Sequence, residues 1–120
     1  MDAEVLAQPL AVGGRVIATD HLGYLLDPGA WDPAVAEVLA AREGLTLGAE
    51  HLAVIDLVRA HYARCQVVPE ARTLLKGMRA VLGEDRASRR YLHRLFPYGY
   101  GCQVCKIAGM TMPRKVMLDV

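Results

Sequence analysis

The sequence predicts a mainly α fold: an N-terminal β-hairpin packed on a bundle of about five helices, with a flexible C-terminal arm. Three observations predict it. Apolar residues recur at helical spacing in successive stretches between Pro33 and Phe96. Each stretch is punctuated by the residues that start and stop helices. A loosely alternating segment precedes them, as a short strand pair would. At 120 residues, 53% hydrophobic and 22% charged, the chain has enough apolar material for one core. It divides into a mobile leader (1–14), a single domain (15–109) and an arm (110–120).

Residues 1–14 show no sustained period and end on Gly13-Gly14, which reads as the leader. Arg15 to Leu26 alternates loosely around Asp20-His21-Leu22-Gly23, and this predicts a hairpin with its turn there. Such a hairpin is marginal alone and must pack on helices. Asp32-Pro33 supplies an N-cap and a first helical proline, Val35, Val38 and Leu39 an apolar stripe, and Gly44 the stop. Trp31, just before that cap, is placed to pack as a hydrophobic staple. A second helix is expected from Gly48 or Ala49 to about Arg64, with Leu52, Ile55, Val58 and Tyr62 on one face. Pro69 opens a third, with Ala71, Leu74, Leu75, Met78, Val81 and Leu82 inward and Gly83 as its end. A fourth follows Glu84-Asp85 and stops at Pro97, with Arg89, Arg90 and Arg94 outward. A short fifth runs from about Gly101 to Gly109. The tail from Met110 carries Pro113 and no period, and is expected to be extended or mobile.

Composition excludes several function classes. No apolar run approaches the roughly 18 residues that span a bilayer. The acidic start, Met1-Asp2-Ala3-Glu4, is unlike a secretory signal, so a cytoplasmic protein is expected, with no membrane insertion. Three cysteines do not make an extracellular disulfide framework. No Gly-rich phosphate loop, catalytic triad or carboxylate pair is present, and no cofactor is expected. The net charge of +1 conceals an asymmetry: four Arg/Lys face nine Asp/Glu through Cys65, and ten face four from Gln66 onward. The second half is therefore the one suited to an anionic partner, unless it is simply a solvated cationic surface.

That half also carries Cys102 and Cys105 in CxxC spacing. On a helix beginning near Gly101 the two thiols lie about one turn apart on one face. Free N–H groups of the first turn and the neighbouring Lys106 would then favour thiolate. A thiolate is the form that exchanges disulfides and accepts sulfur as a persulfide. Zinc would need four ligands, and Cys65, His21, His51, His61 and His93 show no paired spacing that completes a site, so no metal is expected. A thioredoxin-like site would need a strand before the CxxC. Cys65, following the apolar face of the second helix, reads as structural. The histidines read as surface or capping residues.

Leu95-Phe96-Pro97-Tyr98-Gly99, followed by Gln103-Val104-Cys105-Lys106-Ile107-Ala108-Gly109, resembles the C-terminal signature of the DsrC/TusE family. These are small sulfur carriers, also described as the gamma subunit of dissimilatory sulfite reductase. The resemblance extends upstream through Asp20-His21-Leu22-Gly23-Tyr24-Leu25, Trp31, Glu43-Gly44, Glu50-His51, Tyr62, Pro69, Arg72 and Lys76, and covers about residues 16–113. It implies sulfur carried on a cysteine of the arm. It also implies partners that are sulfur-transfer proteins or a sulfite-reductase-type complex. The inner arm cysteine of the family maps to Cys105. The family's penultimate cysteine maps to Val116, so the arm disulfide of full members is not available here. Cys102 stands where typical members have another residue, and Tyr100 where they have proline.

Three readings follow. The first is a sulfur-relay protein with Cys105 as acceptor, Cys102 as a candidate resolving thiol, and Arg72, Lys76, Arg94 and Lys106 as candidates for binding a partner or anion. The second is a regulatory or adaptor homologue that binds the same partners without transferring sulfur. The third is a DNA-binding regulator using the basic half. None of the three is a stand-alone enzyme, and a carrier or adaptor is the expectation.

Overall fold

The fold was taken from a computed structural model that describes residues 9–111, and of Gly101 and Cys102 the backbone only. The leader before residue 9 and the arm beyond residue 111 lie outside the described residues. The hairpin is built from β1 (Leu10–Val12) and β2 (Arg15–Ile17), antiparallel, with Leu10 opposite Ile17 and Val12 opposite Arg15. Its turn is Gly13-Gly14, both at positive φ. This corrects the expected hairpin, which lay one segment later, and places residues 10–14, read as the end of the leader, in the hairpin. Two consecutive glycines satisfy the left-handed positions of a two-residue turn without strain. The expected turn does form: Asp20 Oδ1 accepts from the N–H groups of Leu22 (2.8 Å) and Tyr24 (3.0 Å). Its flanks pair only as an isolated Thr19–Leu25 bridge.

Four α-helices follow: α1 (Pro33–Arg42), α2 (Ala49–Cys65), α3 (Ala71–Leu82) and α4 (Arg89–Leu95). Single 3₁₀ turns at Pro28–Ala30 and Glu84–Arg86 connect them to the rest. The starts are chemically explicit. Asp32 Oδ1 accepts from Val35 N–H, Ser88 caps Tyr91 N–H in the same way, and Pro33 occupies the first position of α1. Gly44 ends α1 in a Schellman motif, with Gly44 N–H to Ala41 O and Leu45 N–H to Ala40 O. A fifth helical element, a π-turn over Tyr100–Cys105, leads into one further helical turn that stops at Gly109.

The core is lined by Val35, Ala36 and Leu39 of α1, Val54, Ile55 and Val58 of α2, and Leu74 and Met78 of α3. Leu10, Leu25, Leu92 and Phe96 close it from the hairpin side and from α4. Two expected core positions, Leu52 and Val81, are exposed instead. In α2 the buried face is centred on Val54 and Ile55, so Leu52 sits at its margin. Val81 lies on the last turn of α3, beyond the elements that cover Leu74 and Met78. Among the described residues no helix is long and apolar enough to cross a membrane.

Candidate functional site

Much of the segment from Gly99 to Met110 is part of the core. Tyr100, Gln103, Val104, Cys105, Ile107, Ala108 and Met110 are all buried. Cys105 itself is closed off from solvent, at 0% exposure. The physical reason is the apolar side chains of Val104, Ile107 and Ala108 around it, which join the core where the segment packs on α2.

The winding also differs from the expected α-helix. A π-turn bonds residue i to i+5, so residues three apart, such as Cys102 and Cys105, fall short of a full turn. The residues brought into register are Tyr100 and Cys105, the first and last of the segment. The Tyr100 hydroxyl donates to the Pro69 carbonyl and lies against the Cys105 thiol. Burial pushes the Cys105 thiol up to about 12, and the Tyr100 hydroxyl offsets only part of that. Burial likewise holds the Tyr100 phenol well above its ordinary value. The resting sulfur is a neutral thiol, where the sequence led us to expect a thiolate. The side chain of Cys102 lies outside the described residues.

Lys106, the expected source of positive potential, is occupied elsewhere. Its Nζ pairs with Glu43 Oε2 (3.4 Å), and the ammonium lies 5.3 Å from the centre of the Tyr24 ring. Glu43 Oε1 also accepts from Gln103 Nε2 (3.5 Å), and Gln103 Oε1 accepts from Tyr98 N–H (3.0 Å). This chain of contacts ties the π-turn to the C-terminal end of α1.

The end of the segment is fully capped. Met110 N–H bonds to Cys105 O and Gly109 N–H to Lys106 O, each at 3.0 Å, a second Schellman motif with Gly109 at φ +77°. The two carbonyls left over find side chains. Trp31 Nε1 donates to Ile107 O and Arg59 Nη1 to Ala108 O, both at 2.8 Å. All four terminal carbonyls thus have donors, which a buried helix end requires. The Arg59 guanidinium stacks 4.2 Å above Trp31 and donates to Pro28 O as well, placing a cation at the negative end of the turn. The sequence puts Trp31 beside the α1 cap but gives no local sign of its pairing with Arg59, 28 residues on. A tryptophan N–H needing an acceptor when buried was the available signal.

Other candidates scatter. Arg72 and Lys76 lie one turn apart on the exposed face of α3, and Arg94 is exposed on α4. Arg72 and Lys76 make no ion pair among the described residues. Cys65 is an exposed free thiol at the end of α2, not the packed residue expected, because the apolar face of α2 ends near Tyr62. His51 accepts from Gly48 N–H at Nδ1, which fixes Nε2 as the donor to Leu95 O, a capping role as expected. Among the described residues no three His, Cys, Asp or Glu side chains group as metal ligands do.

The family described as DsrC like protein matches residues 11–117, nearly the whole chain. The chain belongs to that family. It is 45% identical over 102 residues to the Sulfurtransferase TusE of Pectobacterium atrosepticum, covering 85% of this chain and 94% of that one. The Sulfurtransferase TusE of Yersinia pestis matches to the same extent. Among solved structures, Allochromatium vinosum DsrC superposes with a TM-score of 0.82 at 37% identity, covering 91% of this chain and 97% of that one. The oxidised gamma-subunit of dissimilatory sulfite reductase (DsrC) from Archaeoglobus fulgidus gives 0.83 at 31%, covering 89% and 97%. The hairpin-plus-helices architecture is thus the DsrC fold, as the sequence implied. Within it the capped turn 105–109 stands near the C-terminal end of the described residues.

Proposed function

We propose that this chain is a sulfur-relay protein of the DsrC/TusE kind, which accepts sulfur as a persulfide on Cys105 and yields it to a protein partner. The supporting observation is the position of Cys105: a thiol in the last turn before the arm, in a fold whose relatives are named sulfurtransferases and sulfite reductase subunits. Its burial means that transfer follows a local opening. A π-turn is the least regular helical winding in the molecule and the natural place for one. Cys102, within the same turn, is the candidate to resolve the loaded sulfur. Arg72, Lys76 and Arg94 offer exposed cations to an acidic partner, a sulfur-transfer protein or a sulfite-reductase-type complex in the cytoplasm. Lys106 serves the interior contact with Glu43 instead.

Intact-mass measurement after incubation with a persulfide donor tests this reading. In a Cys65→Ser background, which removes the exposed thiol, the protein should gain one sulfur atom, adding Cys105→Ala should abolish the gain, and adding Cys102→Ser should leave the gain and make it last longer. A wild type that gains no sulfur from any donor, yet still binds relay partners, would make the protein an adaptor instead.

A further inference from the structure

Tyr100 and Cys105 are stacked by the i→i+5 winding of the π-turn, and both side chains are buried, at 1% and 0% exposure. The Tyr100 hydroxyl reaches across to Pro69 O, in the connection between α2 and α3. We propose that this Tyr100–Pro69 hydrogen bond is a latch: Cys105 reacts only from an opened π-turn, and the bond sets how often the turn opens. The purpose given to the latch rests on the reading of Cys105 as sulfur acceptor; its mechanics do not.

Two routes to reaction compete, and magnitudes decide between them. In the closed state no reagent reaches the sulfur. With the thiol pushed up to about 12, only about one molecule in ten thousand would be ionised at pH 8. In an opened state the thiol regains an ordinary acidity and is accessible. The opened route wins even when it is rarely populated. Its bounds are visible in the backbone: Gly99 at φ +89° and Gly109 at φ +77° flank the segment, and both conformations are ones that glycine adopts freely.

The same packing separates loaded from unloaded protein. In the open state the Cys105 thiolate, its proton released to water, attacks the terminal sulfur of a persulfide-bearing donor. The new Sγ–S bond forms as the donor's S–S bond breaks, and the electron pair leaves on the donor's thiolate. The product carries an extra sulfur atom and, once the new persulfide has released its proton to water, a charge. A site already filled by Tyr100, Val104 and Ile107 has room for neither. Loading therefore holds the latch open, and a recipient meets a surface that the empty carrier does not show. Tyr100 is a positioning residue in this scheme, acting on the sulfur through the turn that carries it.

Alkylation of Cys105 tests the latch, followed by mass spectrometry in a Cys65→Ser/Cys102→Ser background across pH 7–10. Tyr100→Phe keeps the ring and removes the donor, leaving Pro69 O unpaired. It should speed labelling roughly 5- to 50-fold at every pH with the midpoint unmoved. Unchanged rates, or a shift of the midpoint alone, would overturn the latch. A second measurement needs no Tyr100 variant. In the background protein, labelling at low urea should depend on urea far more weakly than global unfolding does; labelling that tracks global unfolding overturns the proposal. Sulfur loading is scored separately. Gated labelling without sulfur uptake sinks the carrier reading and leaves the latch, whereas uptake at a rate indifferent to Tyr100→Phe sinks the latch and leaves the carrier.

Discussion

Gly109 and Gly44 offer a matched pair for testing what holds the capped turn 105–109. Both are the left-handed residue of a Schellman motif, at φ +77° and +72°. A Cβ at Gly44 meets nothing within 4 Å, whereas one at Gly109 falls 2.3 Å from Trp31 Cδ1 and 2.6 Å from Cγ. Alanine at either site incurs a left-handed strain of about 1–2 kcal/mol. Part of it, about 0.4–1 kcal/mol, is offset by the stiffer unfolded chain. Only at Gly109 must the indole also move. That adds about 1–3 kcal/mol of overpacking and disturbs the Trp31–Ile107 hydrogen bond and the Arg59 stacking. We expect Gly44→Ala to destabilise by about 1 kcal/mol and Gly109→Ala by about 2–4 kcal/mol. The melting temperature of the second should fall several degrees further. Urea denaturation reports both, and Trp31, the only tryptophan, reports the local change through its emission. If the two substitutions cost the same, the clash with Trp31 is not what fixes the turn.

Three further outcomes follow from the same contacts. Arg59→Met removes two carbonyl donations and the stacking on Trp31, for an expected loss of about 2–3 kcal/mol, and Arg59→Lys should restore little because an ammonium cannot reproduce the planar fork. The Glu43–Lys106 pair is about one-fifth exposed, so a double-mutant cycle with Glu43→Gln and Lys106→Met should show about 0.5–1.5 kcal/mol of coupling. A value near zero would mean that the two are merely neighbours. The third concerns pH. The folded Cys105 thiol sits at about 12, above its ordinary 9, so it retains a proton that the unfolded chain loses. The stability it contributes is complete below pH 9 and is lost between about pH 9 and 12, by roughly 1 kcal/mol per pH unit. Urea titrations at pH 8 and 10.5 should show the wild type losing more stability than Cys105→Ala; parallel losses would refute the burial assigned to the thiol.

What the sequence made legible was whatever is decided locally. Asp32-Pro33 starts α1 and Gly44, Gly83 and Gly109 stop helical turns because capping and left-handed backbone need only a few neighbouring residues. The hairpin was misplaced for the same reason: Gly13-Gly14 and Asp20–Gly23 are both good turns, and only the packing of Leu10 into the core decides which carries the ladder. The site depended on partners far along the chain. Lys106 beside Cys105 argues for a thiolate until Glu43, 63 residues away, takes the charge. Tyr100 reads as a loosened proline position until the π-winding sets it over Cys105, with Pro69, 31 residues distant, as its acceptor. A CxxC on an α-helix and one on a π-turn are the same letters with different neighbours in space. Residue type and spacing drew attention to the CxxC pair, and the family resemblance singled out Cys105 as the proposed acceptor, while the state of that thiol at rest, protonated and closed inside the core, is a property of contacts that only the fold supplies.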